Sequence, residues 1–373
     1  MSTEAQEIPT LFKPTKIGNI PLSHRVVLAP LTRFRADDNS VHTDLAVEYY
    51  RQRSSTPGTF LITEATIIAP QAAGYPNVPG IWNDDQVAAW KKIADVVHGN
   101  ASFIFMQLWA VGRVAISAEL QKYGFDVVGP SAIALDGDHA TPRALTVEEI
   151  KEYLRLYAQA AKNAIRAGFD GVEVHSANGY LLDEFLQSNS NHRTDEYGGS
   201  VENRIRFTVE VVDAIAAAIG PARTSARFSP WSRYQAMRML DPVPTFSALV
   251  RRLAETQPQL AYLHIVEPRV NGEADATELG DESNDFIKGI WAPRPLIVAG
   301  GFDLDAALQT SERDQNVLVA MGRYFISNPD LPRRWKEGFT LTPYERQYFY
   351  SSGSRGYTDY TPFSDFTSTI KAA

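Results

Sequence analysis

The chain has no cysteine among its 373 residues, which excludes disulfides, thiolate metal sites and a cysteine nucleophile. It has no apolar run near the roughly 18 residues that a membrane span needs. It has no basic stripe or tail, and 36 basic residues stand against 44 acidic ones, a net charge of −8. A sequence-independent grip on nucleic acid or an anionic membrane is therefore not expected. The opening "MSTEAQEIPT" lacks the basic and apolar regions of a secretion signal, and the closing "TIKAA" is no receptor-read address. G-x-G-x-x-G after a strand, G-x-x-x-x-G-K-[ST] and H-E-x-x-H are all missing. With them go a dedicated dinucleotide or NTP cradle and a metalloprotease helix. No set of His and carboxylates has metal-ligand spacing, so no metal is expected. A soluble, cytoplasmic protein is the expectation.

What is present is enough hydrophobic residue, 44% of the chain, for a full core. Short apolar runs alternate with amphipathic segments from end to end. The runs cover 25–30, 59–68, 102–109, 168–176, 224–230, 260–268, 295–302 and 317–325. Each is nearly continuous Val, Ile, Leu, Ala and Phe, as in parallel strands covered on both faces. Between them, Ile205, Val209, Val212, Ala216 and Ile219 recur at helical spacing and Gly220 follows as a stop. Ile150, Leu154, Tyr157 and Ala161 repeat the pattern after Thr146 and Glu149, which have capping-box spacing. The segment 84–100 opens with acids and ends in His-Gly-Asn, which suits a helix dipole. Eight alternations without a linker predict one α/β domain over 1–373, a (β/α)₈ TIM barrel. A doubly wound open sheet is the alternative. Residues 11–23 carry a Gly-Asn turn and predict a hairpin at the barrel floor. Residues 110–145, after the third strand, predict a long loop over the active site.

In a barrel, catalytic groups stand at the C-terminal ends of strands. The loops after strands seven and eight commonly hold phosphate. Gly300 and Gly301, then Gly322 and Arg323, offer approachable backbone and a guanidinium there; alternatively they only turn the chain. Thr32, Gln107 and Arg227 stand where they would surround a flat heterocycle, or the first two only satisfy strand ends. Arg227 lies inside an apolar strand with no acid beside it in sequence. A buried guanidinium is costly unless paired, so an anionic ligand or a distant carboxylate is expected. In "GVEVHSANGY" (171–180), His175 and Asn178 are three apart. In a turn they share a face and could donate to one substrate oxygen; in a strand they would not. Tyr180 holds its proton at neutral pH and could deliver it. The bland alternative is a trio that satisfies loop backbone. A hydrolase built on Glu64 and Glu267 as an acid/base pair is a second functional reading.

The stretches "APLTRFRA", "EYYRQR", "PGTFLITEATIIAPQAAGYPNVPGIW", "QLWAVGR", "GFDGVEVHSANGYLLDEFLQSNSNHRTDEYGGSVENRIRF", "GRYFISNPDL" and "GYTDY" resemble the old yellow enzyme family. The likeness runs from Leu11 to Tyr360. It implies an FMN-dependent ene-reductase on a (β/α)₈ barrel, with FMN bound tightly and non-covalently. The resemblance places Pro30, Leu31 and Thr32 along the isoalloxazine and Gln107 at its pyrimidine edge. It places Arg227 near N1 and O2, and Gly300, Gly301, Gly322 and Arg323 on the phosphate. His175 and Asn178 would bind the oxygen of an activated alkene, with Tyr180 as proton donor. Tyr75, Trp109, Tyr234, Phe286 and Tyr350 would stand around the substrate. The implied cycle is ping-pong: NADPH (or NADH) gives hydride to flavin N5. An enone, enal or nitroalkene then takes it at the β carbon while Tyr180 protonates the α carbon. Thr32, in a chain without cysteine, is similar to the classical, thiol-free branch. Gly301 stands where asparagine is common, and 231–242 departs from the family pattern. The resemblance fits a monomer or a homodimer, and a non-catalytic flavin-binding protein is the third reading.

Overall fold

The computed structural model describes residues 7–272, 274–275 and 281–363. Most of the polar amino-terminal stretch and all of the terminal "TIKAA" lie outside the described residues. The apolar runs form eight barrel strands: β1 (Val26–Leu28), β2 (Phe60–Ile62), β3 (Phe103–Trp109), β4 (Gly171–Ser176), β5 (Thr224–Phe228), β6 (Tyr262–Val266), β7 (Leu296–Ala299) and β8 (Val317–Met321). Each pairs in parallel with the next. β8 then pairs with β1, Val319 opposite Val26, and closes the ring. An open doubly wound sheet would leave two unpaired edges; closure leaves none.

Helices α1 (Asp44–Arg53), α2 (Asp84–Gly99), α3 (Val147–Arg166), α4 (Val201–Ile219), α5 (Val243–Thr256), α6 (Asp285–Trp291), α7 (Leu304–Arg313) and α8 (Leu331–Glu337) surround it. Their starts are set by side chains. Thr146 Oγ1 accepts the Glu149 N–H at 3.2 Å and Glu149 Oε2 accepts the Thr146 N–H at 2.7 Å, the expected capping box of α3. Asn83 and Gln86 make the same box at α2. Gly220, at φ +93°, ends α4 where the sequence predicts. Among the described residues no helix is long and apolar enough to cross a membrane.

Strand alternation divides the core in two. Val26 and Leu28 face the helices, whereas Val27 joins Phe60, Ile62, Phe105, Tyr262, Ile297 and Leu318 inside the barrel. The expected hairpin, Thr15–Ile17 paired with Ile20–Leu22, adds Ile17, Ile20 and Leu22 to that inner cluster. Its turn lies under the strand starts: a Cβ at Gly18 would meet the Ala222 carbonyl oxygen, just ahead of β5, at 2.0 Å. The floor is closed there.

The 110–145 segment differs from expectation. It holds a short helix, Ser117–Gln121, and a small pairing of Val128–Gly129 with Arg143–Ala144. None of its side chains lines the cavity at the barrel mouth. Its own apolar residues explain this: Val111, Val114, Leu120 and Leu145 are buried in the helix-side core, which draws the segment beside the mouth.

Candidate active site

A cavity of about 710 Å³ opens at the C-terminal ends of the strands. β4 supplies its central wall. The strand ends at Ser176, and the chain then turns through Asn178 (φ +57°) and Gly179 (φ +75°) before a short helix, Leu181–Leu186. Three contacts hold this turn. The Asn178 N–H donates to Ser229 Oγ at 2.7 Å, the Gly179 N–H to Asp183 Oδ2 at 2.9 Å, and Gln235 Nε2 to the Asn178 carbonyl at 2.9 Å. Glycine is required at 179 by close approach as well, because a Cβ would lie 2.7 Å from that of Gln235. The turn resolves the open geometric question: His175, Asn178 and Tyr180 all line the one cavity.

Their protonation is set by burial. The His175 imidazole is pushed well below its usual range by burial and then by Arg227 and His264 beside it, so it is neutral at physiological pH. Burial, with Tyr75 and Tyr234 beside it, pushes the Tyr180 hydroxyl well above 10. Tyr180 stands edge-on to His175 (centroids 5.1 Å apart, planes at 81°) and to Trp109 (4.8 Å, 84°). Tyr75 stacks on Trp109 at 5.7 Å and its hydroxyl hydrogen-bonds Tyr180. Two neutral donors and a protonated phenol thus share an aromatic-walled space. That arrangement can polarise an oxygen and deliver a proton.

Below them lies a polar layer. Gln107 on β3, Arg227 on β5, and Glu173 and His264 on β4 and β6 face inward; Arg227 is opposite His175 on one side and His264 on the other. Arg227's negative partner inside the protein is Glu173, which raises the guanidinium's affinity for its proton against burial. The distant carboxylate left open by the sequence is therefore present. Yet Arg227 Nε, His175 Nδ1 and Trp109 Nε1 are buried without hydrogen-bond partners among the described residues. Such orphans suit a flat polar ligand.

At the far end, Gly300 (φ +116°) and Gly301 (φ +64°) follow β7. A Cβ at Gly300 would meet Val270 Cγ2 at 2.7 Å. Gly322 precedes the short helix Arg323–Ser327, and the Arg323 guanidinium lies 5.6 Å over the Tyr344 ring. Glycine backbone and a cation at one end, Gln107 and Arg227 at the other, fit a phosphorylated heterocycle such as FMN.

Pro30, Leu31, Thr32, Gln107, Arg227, Gly300, Gly301, Gly322 and Arg323 all line this cavity, as do Tyr75, Trp109, Tyr234 and Tyr350. Phe286 does not line it. It lies on α6, outside the barrel, and packs edge-on against Trp231 (6.3 Å, 86°). Glu64 and Glu267 share no cleft. Glu64 is buried beside the Arg33 N–H and His42, its pKa pushed up to about 7 by burial, whereas Glu267 bridges to Lys288 at 3.2 Å. Neither lines the cavity. Sequence reasoning missed Glu173, Gln235, Phe34 and Phe349. For Glu173 a signal existed, a lone acid in the middle of an apolar strand; for the others none stood out.

Residues 10–342 match a family model described as the NADH:flavin oxidoreductase / NADH oxidase family. The chain is 48% identical to the NADP-dependent oxidoreductase lnbE of Aspergillus flavus, over 95% of this chain and 96% of that protein. It is 48% identical to the chanoclavine-I aldehyde reductase fgaOx3 of Penicillium roqueforti, over 97% and 99%. Among solved structures, the old yellow enzyme from a Pichia species superposes with a TM-score of 0.89 at 39% identity, covering 96% of this chain and 94% of that one.

Proposed function

Since the chain belongs to the NADH:flavin oxidoreductase / NADH oxidase family, among the old yellow enzymes, we propose that it is an NADPH-dependent ene-reductase. Its substrates are α,β-unsaturated carbonyl or nitro compounds. The observation that carries this reading is the convergence of His175, Asn178 and Tyr180 on one aromatic-walled cavity. FMN, when bound, would supply hydride-transfer chemistry, with NADPH as the expected donor in a ping-pong cycle. Thr32, Gln107 and Arg227 would hold its ring system, and Gly300, Gly301, Gly322 and Arg323 its phosphate.

The protein's own groups do the rest. Neutral His175 and the Asn178 amide donate to the substrate oxygen, drawing electron density from the β carbon. Each such donor is typically worth about 3 kcal/mol of barrier. Tyr180, which keeps its proton, gives it to the α carbon as hydride arrives at the β carbon. Trp109 and Tyr75 wall the site beside Tyr180.

The test is anaerobic. The purified protein should be yellow, lose that colour with NADPH and regain it with 2-cyclohexenone. A colourless preparation that takes up no FMN refutes the reading. One relative, 45% identical, is named a probable inactive dehydrogenase, easA of Claviceps purpurea. FMN uptake with no hydride transfer to any enone would place this protein with the non-catalytic alternative.

A further inference from the structure

Glu173 lies in the middle of β4, two residues before His175, and is fully buried. It accepts three hydrogen bonds: from Gln107 Nε2 at 2.7 Å, from the Tyr262 hydroxyl at 3.0 Å and from His264 Nδ1 at 2.9 Å. An ionised carboxylate only accepts, so all three partners must donate. The His264 proton therefore stands on Nδ1, and the Gln107 amide is pinned by its nitrogen. That leaves the Gln107 oxygen and its second N–H for the cavity. Gln107 and Arg227 line the cavity, whereas Glu173, Tyr262 and His264 do not. The acid thus stands one layer beneath the two groups that face the ligand. Although burial pushes the Glu173 carboxyl up, His264, Arg227 and Gln107 together hold it below its usual range, so it carries a charge.

We infer that Glu173 is a positioning residue that tunes the bound flavin by offsetting the Arg227 cation and by fixing which way the Gln107 amide faces. The inference rests on the FMN reading above. With Glu173 ionised, the layer under the cavity carries one negative and one positive charge, and its pull on negative charge in the ligand is moderated. Without it, Arg227 acts alone through a buried, low-dielectric path. Electron gain by the flavin then becomes more favourable. A purely structural Glu173 would bind β3, β4 and β6 together and leave that balance untouched.

The experiment is a reduction potential on the FMN-loaded protein, measured anaerobically against a reference dye. Glu173→Gln is expected to raise affinity for reduced relative to oxidised FMN at least tenfold, a positive shift of about 30 mV for a two-electron couple. Tyr262→Phe removes a donor from the carboxylate without touching the cavity, so its potential should move the opposite way. A Glu173→Gln protein with an unchanged potential and a lowered melting temperature overturns the inference in favour of the structural role. If Glu173→Gln does not fold, Tyr262→Phe decides, and an unchanged or positive shift there overturns the inference. Wild-type protein that takes up no FMN would instead bring down the functional reading on which this rests.

Discussion

Tyr180 keeps its proton because burial among aromatic rings makes the phenolate costly, and that is what a proton donor at neutral pH requires. Tyr180→Phe should leave NADPH-driven bleaching of the flavin unchanged. It should slow the alkene half-reaction by about 10²–10⁴-fold, the usual worth of a positioned acid. Stopped-flow measurement of the two halves separates these outcomes; equal loss in both would remove the assigned role. His175 titrates well below its usual range because burial and the Arg227 charge oppose the imidazolium. Binding of a neutral carbonyl ligand should therefore show no histidine titration, and an inflection near the ordinary value of about 6.5 that persists in Asp183→Asn would contradict that. At this scale legibility follows sequence distance. His175, Asn178 and Tyr180 fall within six residues and could be read together. Glu173 could not, since its partners Gln107, Tyr262 and His264 lie 66, 89 and 91 residues away.

The helix Leu181–Leu186 fastens the Asn178–Gly179 turn through Asp183, which accepts the Gly179 N–H, while the neighbouring Glu184 accepts the Arg113 N–H. Burial pushes Asp183 up to about 7 and Glu184 up to about 8. Both folded values exceed those of the unfolded chain. Their stabilisation is full below the ordinary carboxylate pKa and is lost as pH rises through the folded values. The melting temperature should therefore fall from about pH 4 upward and level off above about pH 8, and Glu184→Gln should flatten that fall. An equally steep fall in the variant would show that Glu184 is not its source. Helix starts and stops were legible because caps are local. The 231–242 loop was not: Gln235, Ala236 and Arg238 adopt left-handed backbone without being glycine (φ +55°, +55° and +72°). They are held by distant partners, Arg113 on the Gln235 carbonyl and Glu282 on the Arg238 guanidinium. Phe286 was misplaced for a related reason, since a position along the chain does not reveal that α6 stands away from the cavity.

The whole molecule is tied end to start. Arg35, just after β1, donates to the carbonyls of Tyr348, Phe349, Gly353 and Arg355, and Arg53 on α1 donates to those of Ile326 and Tyr357. This clasp holds Tyr350 at the rim, where it meets Phe34 edge-on at 5.5 Å. Arg35→Ala should leave the circular dichroism of the barrel intact while opening the chain to trypsin at Arg346 or Arg355. Unchanged protection would mean that the clasp is held by the other arginines alone. The barrel itself was legible because its strands are buried on both faces and read as unbroken apolar runs. The clasp was not, for its donors are charged side chains and its acceptors are backbone carbonyls more than 270 residues away. The hairpin under the strand starts gives this architecture one more property. Ile17, Ile20 and Leu22 close the ring below and Val27, Phe60, Phe105 and Tyr262 fill it, so the cavity at the mouth has a packed floor and opens on one side. Length is then free on one side of a substrate only. In a series of enones, chains added at the end that trails past Tyr350 should be tolerated almost without limit, and a few carbons added at the leading end should abolish turnover.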